Sequence, residues 1–171
     1  MNSKFKTAAP EGKRFKEAGD GRAADVLHQE STKMADKTRD QAMAQRKNVI
    51  LDSTLGNAEN ALRLIKRAQK LGYSVRLVGV TADPQLSVRR AMIRGPMANR
   101  YVPPDALWKA HQGFNAAIPD YLSAVDEAMI LENSGDGPIQ IAQKGHDGLI
   151  DITDPEQYAK INNRGSYEQA K

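Results

Sequence analysis

Cysteine is absent from the 171 residues, which excludes disulfides and thiolate zinc sites. Aromatic side chains make up only 5 %, so any core has to be mostly aliphatic. No apolar run approaches the ~18 residues that cross a bilayer, and Met1 is not followed by a signal-like apolar stretch, so a cytoplasmic location is the expectation. The three histidines are scattered and do not give a transition-metal spacing. No Gly-x-Ser-x-Gly stretch suggests a hydrolase.

Charge is plentiful. Charged residues reach 27 %, the net charge is +4 and mean hydropathy is −0.61, the profile of a very soluble chain long enough for one sizeable core. The distribution is uneven. Between Asn60 and Pro104 nine Lys or Arg stand against one acid, Asp83, whereas from Asp105 to Lys171 five bases face eleven acids. Two readings of the basic block stay open: a field for an anionic ligand such as a nucleotide, or a solvated helix face. Nucleic acid is disfavoured, because no aromatics alternate with the basic residues and no known nucleic-acid-binding motif is present.

Periodicity predicts alternating helices and strands. A long amphipathic helix is expected from Ala23 to about Arg46, a buried strand over 48–52, a helix capped by Asn57 and stopped by Gly72, and a second strand over 73–80. Asp83-Pro84 should open a third helix running to about Arg94, followed by a loop over 95–104 and helical pieces at 105–111 and 114–124. A strand over 127–133, a tight turn and a returning strand at 139–143 complete a hairpin, and Asp154-Pro155 starts a short last helix. Residues 1–22 read as irregular and the tail from about 164 as frayed. Together this implies a single α/β domain with right-handed crossovers and helices on both faces of the sheet.

Several stretches, in order along the chain, resemble one family. "AADVLHQEST", "NVILDSTLGNAENALRLIKRAQKLGYSVRLVGV", "LSVRRAMIRG", "NRYVPPDAL", "AHQGFNAAIPDYL" and "ENSGDGP" are similar to the zeta-toxin family of P-loop kinases. The resemblance implies a P-loop kinase-like parallel sheet flanked by helices. It also implies ATP-dependent phosphorylation of a small molecule, for the best-known members the sugar of UDP-N-acetylglucosamine, with ATP and Mg as cofactors and a small antitoxin as partner. Such enzymes bind phosphates with a Gly-rich loop ending in Lys and Ser or Thr. Here the only Gly-Lys pair is Gly12-Lys13, with Thr7 in place of the first glycine and Arg14 in place of the hydroxyl. Lys4 falls where the family's catalytic-base aspartate is expected, and a charged lysine cannot take a proton.

By the same resemblance Asp52 and Thr54 would bind the acceptor and Glu30 could contact its sugar. Arg94 and Arg100 would reach the transferred phosphate, the planar guanidinium being suited to oxyanions. The alternatives stand beside these roles: Asp52 and Ser53 capping a turn, and a pair of solvated loop arginines. Arg90 is a second candidate for the place of Arg94, and Arg89 is expected to be exposed. His28 is expected to be structural, His111 to set a helix-helix turn, and His146 to sit in a loop without an inferable partner. The reading is the acceptor and lid portion of a kinase, inactive alone because its P-loop strand is missing and supplied, if at all, by a protein partner. The rival is a non-catalytic relative that binds a nucleotide-sugar or a protein.

Overall fold

The structure, a computed structural model, describes residues 28–97 and 102–164. Two compact units emerge: one of 28–52 with 88–97 and 102–104, the other of 53–87 with 105–164.

In the first unit, helix α1 (His28–Ala44) is largely exposed. Met43 is its buried apolar contact, while Met34 and Thr38 are exposed. Arg39 ties the helix surface together through Asp36 at 2.6 Å and Asp40 at 2.9 Å. The chain then turns at Arg46, whose φ is 57°, and runs through residues 48–52 without pairing to any strand. The strand expected there is therefore not formed: Ile50 is 99 % exposed. A run of three apolar residues is not stable as a strand by itself, and the resemblance assigns its neighbour to a P-loop strand that no described residue supplies.

The second unit carries the sheet. Helix α2 (Ala58–Lys70) starts where the Asn57 side chain accepts the Asn60 N–H at 3.0 Å, as its sequence predicts. It ends at Gly72, which adopts φ 82° while the Tyr73 N–H reaches back to the Ala68 carbonyl at 3.1 Å. Strand β1 (Arg76–Thr81) follows. Helix α3 (Pro84–Met97), of which only residues 84–87 belong to this unit, begins with Pro84 in its first position and the Asp83 carboxylate accepting the Leu86 N–H at 3.0 Å. It runs beyond the expected end at Arg94.

Helix α4 (Pro104–Ala124) is one continuous helix through Gly113 and Pro119, not the two pieces expected. Strand β2 (Glu127–Glu132) lies parallel to β1, with Arg76 opposite Glu127 and Thr81 opposite Glu132. Strand β3 (Ile139–Lys144) returns antiparallel, bulged at Ile130/Leu131, and β4 (Ile150–Asp151) pairs with β3. Helix α5 (Pro155–Arg164) closes the described chain.

The four-stranded sheet thus has the order β1-β2-β3-β4, with one parallel and two antiparallel pairs. Its core lies on one face: Phe114, Ile118, Tyr121 and Leu122 of α4 pack with Ile65, Leu77, Ile130, Ile141 and Ile161. On the opposite face Val78 of β1 is 60 % exposed, and Val80 of β1 and Met129 of β2 are exposed too.

Two glycines let backbones meet. A Cβ at Gly113 would lie 1.9 Å from the Gly56 carbonyl oxygen, and one at Gly56 would lie 2.7 Å from Cα of Ala110. The chain before α2 therefore rests directly on α4, which is why a residue read as a helix breaker sits inside this helix. Leu55, next in that loop, adopts φ 51°, a conformation costing a non-glycine residue about 1–2 kcal/mol. The Tyr121 hydroxyl donates to its carbonyl at 2.5 Å. Burial, helped by the charge of Asp120, pushes the Tyr121 pKa up, which keeps that donor protonated.

Gly113→Ala is expected to destabilise the fold by ~2–3 kcal/mol, since the new methyl meets backbone that cannot turn aside. Urea unfolding of the variant beside wild type checks this, and an unchanged midpoint would show that the contact is looser than described.

Candidate functional site at the carboxyl ends of β1 and β2

In open α/β sheets ligands bind outside the carboxyl ends of the parallel strands. Here those ends are Thr81 and Glu132, side by side in register. Both are buried, Thr81 at 1 % and Glu132 at 6 % exposure, and each is satisfied locally. The Thr81 hydroxyl donates to Asn115 Oδ1 at 2.8 Å. Glu132 accepts both the Ser134 N–H, at 3.1 Å, and the Ser134 hydroxyl. Ser134 Oγ in turn accepts the Asp83 N–H at 2.6 Å, and the Asn133 N–H donates to the Thr81 carbonyl at 2.8 Å. These bonds tie the start of α3 to the turn after β2.

Helix α4 lies across this ledge. Asn115 is completely buried, and its Nδ2 has no acceptor. His111 lies one turn earlier on the same helix face. Burial lowers the His111 pKa below the ordinary 6.5, and the nearby Asp83 charge opposes that shift in part. The ledge therefore offers a neutral imidazole, an amide with an unmet donor, a hydroxyl and two carboxylates.

At the opposite end of the strands Asp126 makes the anchor. It accepts the Val75 N–H at 2.7 Å and Gln69 Nε2 at 3.2 Å. The Val75 bond first, then the Gln69 bond, hold its carboxyl below the usual range. Lys144 Nζ donates to the Val125 carbonyl at 2.8 Å and the Ser123 carbonyl at 3.2 Å, capping the end of α4 with a cation.

The residues singled out from sequence are dispersed. Asp52 is exposed at the end of the unpaired 48–52 stretch in the first unit, and Thr54 is exposed in the second. Ser53, between them, accepts the Leu55 N–H at 3.3 Å, a turn bond of the kind the alternative reading of Asp52 and Ser53 invoked. Arg94 is exposed in the last turn of α3. Glu30 lies in the first turn of α1, with only its backbone described, and Arg100 lies outside the described residues. Arg89 and Arg90 are both exposed.

His111 sits inside α4 rather than at a helix-helix turn, because α4 is unbroken. His146 has a partner after all, its Nε2 lying 2.8 Å from Glu127 Oε1, and the same carboxylate pairs with Arg76. The buried ledge of Thr81, Asn115, Glu132 and Ser134 was missed. Its signal was the position of Thr81 and Glu132 at the ends of two adjacent apolar strands.

The ledge itself does not fit the phosphates of a nucleoside triphosphate. The N–H groups of Asp83 and Ser134 are already engaged by the ledge. The charged groups of the ledge are the carboxylates Glu132 and Asp83, which repel phosphate. The Gly12-Lys13 pair lies outside the described residues. Among the described residues no group of three or more His, Asp or Glu side chains could hold a metal ion.

Thr81→Val is expected to cost ~1–3 kcal/mol, because it leaves the buried Asn115 Oδ1 without its donor; thermal melting measures it. His111 also predicts a pH response. Its folded pKa lies below its unfolded value, so the unfolded chain binds the proton first and stability falls as pH drops below 6.5 toward the folded pKa. His111→Gln is expected to remove that part of the decline in urea midpoints, and an identical decline in the variant would sink the assignment.

Comparison with known proteins adds two findings. The family model described as Zeta toxin matches residues 2–136. The crystal structure of AvrRxo1-ORF1:-ORF2 with ATP is similar in fold, with a TM-score of 0.72 at 17 % identity, covering 84 % of this chain and 47 % of that one. The chain therefore spans about half the length of the solved structure it matches. No curated protein matches it.

Proposed function

Because the chain belongs to the zeta toxin family, we propose that it forms the acceptor and lid portion of an ATP-dependent small-molecule kinase. The acceptor class is a UDP-N-acetyl sugar or a similar hydroxyl-bearing nucleotide-sugar. The observation that carries this reading is a division of labour. Residues 2–136 match the family and the chain takes up a similar fold to a structure solved with ATP, yet the ledge at its parallel strand ends presents carboxylates and no phosphate-binding amides.

On this reading Asp52 and Thr54 orient the acceptor hydroxyl, Glu30 contacts its sugar, and Arg94 with Arg100 meet the transferred phosphate. ATP and Mg belong to the complete enzyme, the carboxylate ledge does not hold them, and the chain alone is inactive. Residues 1–171 act as one zeta-toxin-like domain in the cytoplasm, and among the described residues no helix is long and apolar enough to cross a membrane. The partner is a protein that supplies a strand or acts as an antitoxin. The similar solved structure is of AvrRxo1-ORF1:-ORF2, a pair, with ATP.

A second reading has its own support. The exposed Arg89 and Arg94 of α3 suit a non-catalytic relative that binds a nucleotide-sugar or a protein without transferring phosphate.

Titration calorimetry with UDP-N-acetylglucosamine is expected to show binding that Asp52→Ala and Arg94→Ala each weaken about tenfold, the scale of one charge-assisted hydrogen bond. A radiolabelled ATP assay with the same sugar is expected to show no transfer. Robust transfer by the chain alone would refute its dependence on other residues. Failure to bind any nucleotide-sugar would refute the acceptor role.

A further inference from the structure

We infer that the outer face of α2 is a docking surface for an acidic, amphipathic segment of a partner protein. Arg63, Lys66, Arg67 and Lys70 stand at helical positions i, i+3, i+4 and i+7, so they share one face over roughly 10 Å of axis. With Glu59 and Leu62 they line a solvent-open groove of about 580 Å³. Arg63 is held in place by the Asn60 side chain, its Nη2 donating to Oδ1 at 2.8 Å.

No Asp or Glu occurs between Glu59 and Asp83. Like charges at this spacing weaken an isolated helix, so helix stability does not account for the run. The inner face of α2, through Ala61 and Ile65, already anchors it in the core. Lys66 and Lys70 on the outer face are exposed and stand outside that core, so they can be changed without disturbing the fold.

The groove's chemistry selects among polyanions. Its floor includes the apolar Leu62, and no aromatic side chain lines it, so it lacks the platforms on which bases stack. A helix bearing Glu or Asp at i, i+3 and i+4, with Leu between them, meets both the cations and the apolar floor. This assignment is independent of any kinase activity.

The test is fluorescence polarisation of a labelled helical peptide of repeating Glu-Glu-Leu-Ala-Glu, titrated with the full chain. Binding is expected to weaken roughly fivefold in the Lys66→Gln/Lys70→Gln variant, the scale of two exposed ion pairs. It is expected to weaken further in Lys66→Glu/Lys70→Glu and to persist in Lys66→Arg/Lys70→Arg. Matched thermal melts of the variants establish that the fold is intact. The inference fails if the peptide binds all variants equally, or if a single-stranded oligonucleotide of equal charge binds more tightly at the same salt. It also fails if sedimentation shows self-association that the Glu variant abolishes.

Discussion

The contact between the Gly56 and Gly113 backbones sets the geometry of the second unit. Without side chains at either point, the loop before α2 lies directly on α4, and a single methyl group would part them. That closeness brings the Leu55 carbonyl within reach of the Tyr121 hydroxyl, which offsets the cost of Leu55's left-handed backbone. Gly79 repeats the device on the strand side, where a Cβ would sit 2.7 Å from the Phe114 ring. Helix α4 thereby sets its backbone on the entry to α2 and its Phe114 ring on the middle of β1, and His111 and Asn115 are carried to the strand ends.

Polar pinning divides between the two ends of the strands. At the amino end, Asp126 gathers α2, the start of β1 and the turn after α4. At the carboxyl end, Glu132, Ser134 and Asp83 link β2 to the start of α3. Both clusters satisfy backbone N–H groups where the regular ladder stops. Only the second contains a buried donor left unmet, Asn115 Nδ2. An unsatisfied buried group is costly.

Much of the fold was legible because local chemistry and tertiary structure agreed. Asn57, Gly72 and Asp83-Pro84 marked helix ends that the structure repeats, and the β2–β3 hairpin follows its turn signal. The errors share one cause. Gly113 reads locally as a break, but its reason for being glycine lies 57 residues away, at Gly56. Residues 48–52 read locally as a buried strand, but a strand exists only through its neighbour. The ledge is not legible locally for the same reason: Thr81, Asn115 and Glu132 become a cluster only when β1, β2 and α4 are assembled. The family itself was legible, since its motifs are local and keep their order.

The open flank of β1 has a consequence for how the isolated chain behaves in solution. Among the described residues β1 is an edge strand, and with Val78 and Val80 exposed it is a template to which an extended apolar segment can add. The chain also carries such a segment, in the exposed run around Ile50. Encounters between molecules scale with concentration whereas folding within one molecule does not. Dilution is therefore the condition that best keeps the isolated chain monodisperse, and crowding is the one that exhausts it.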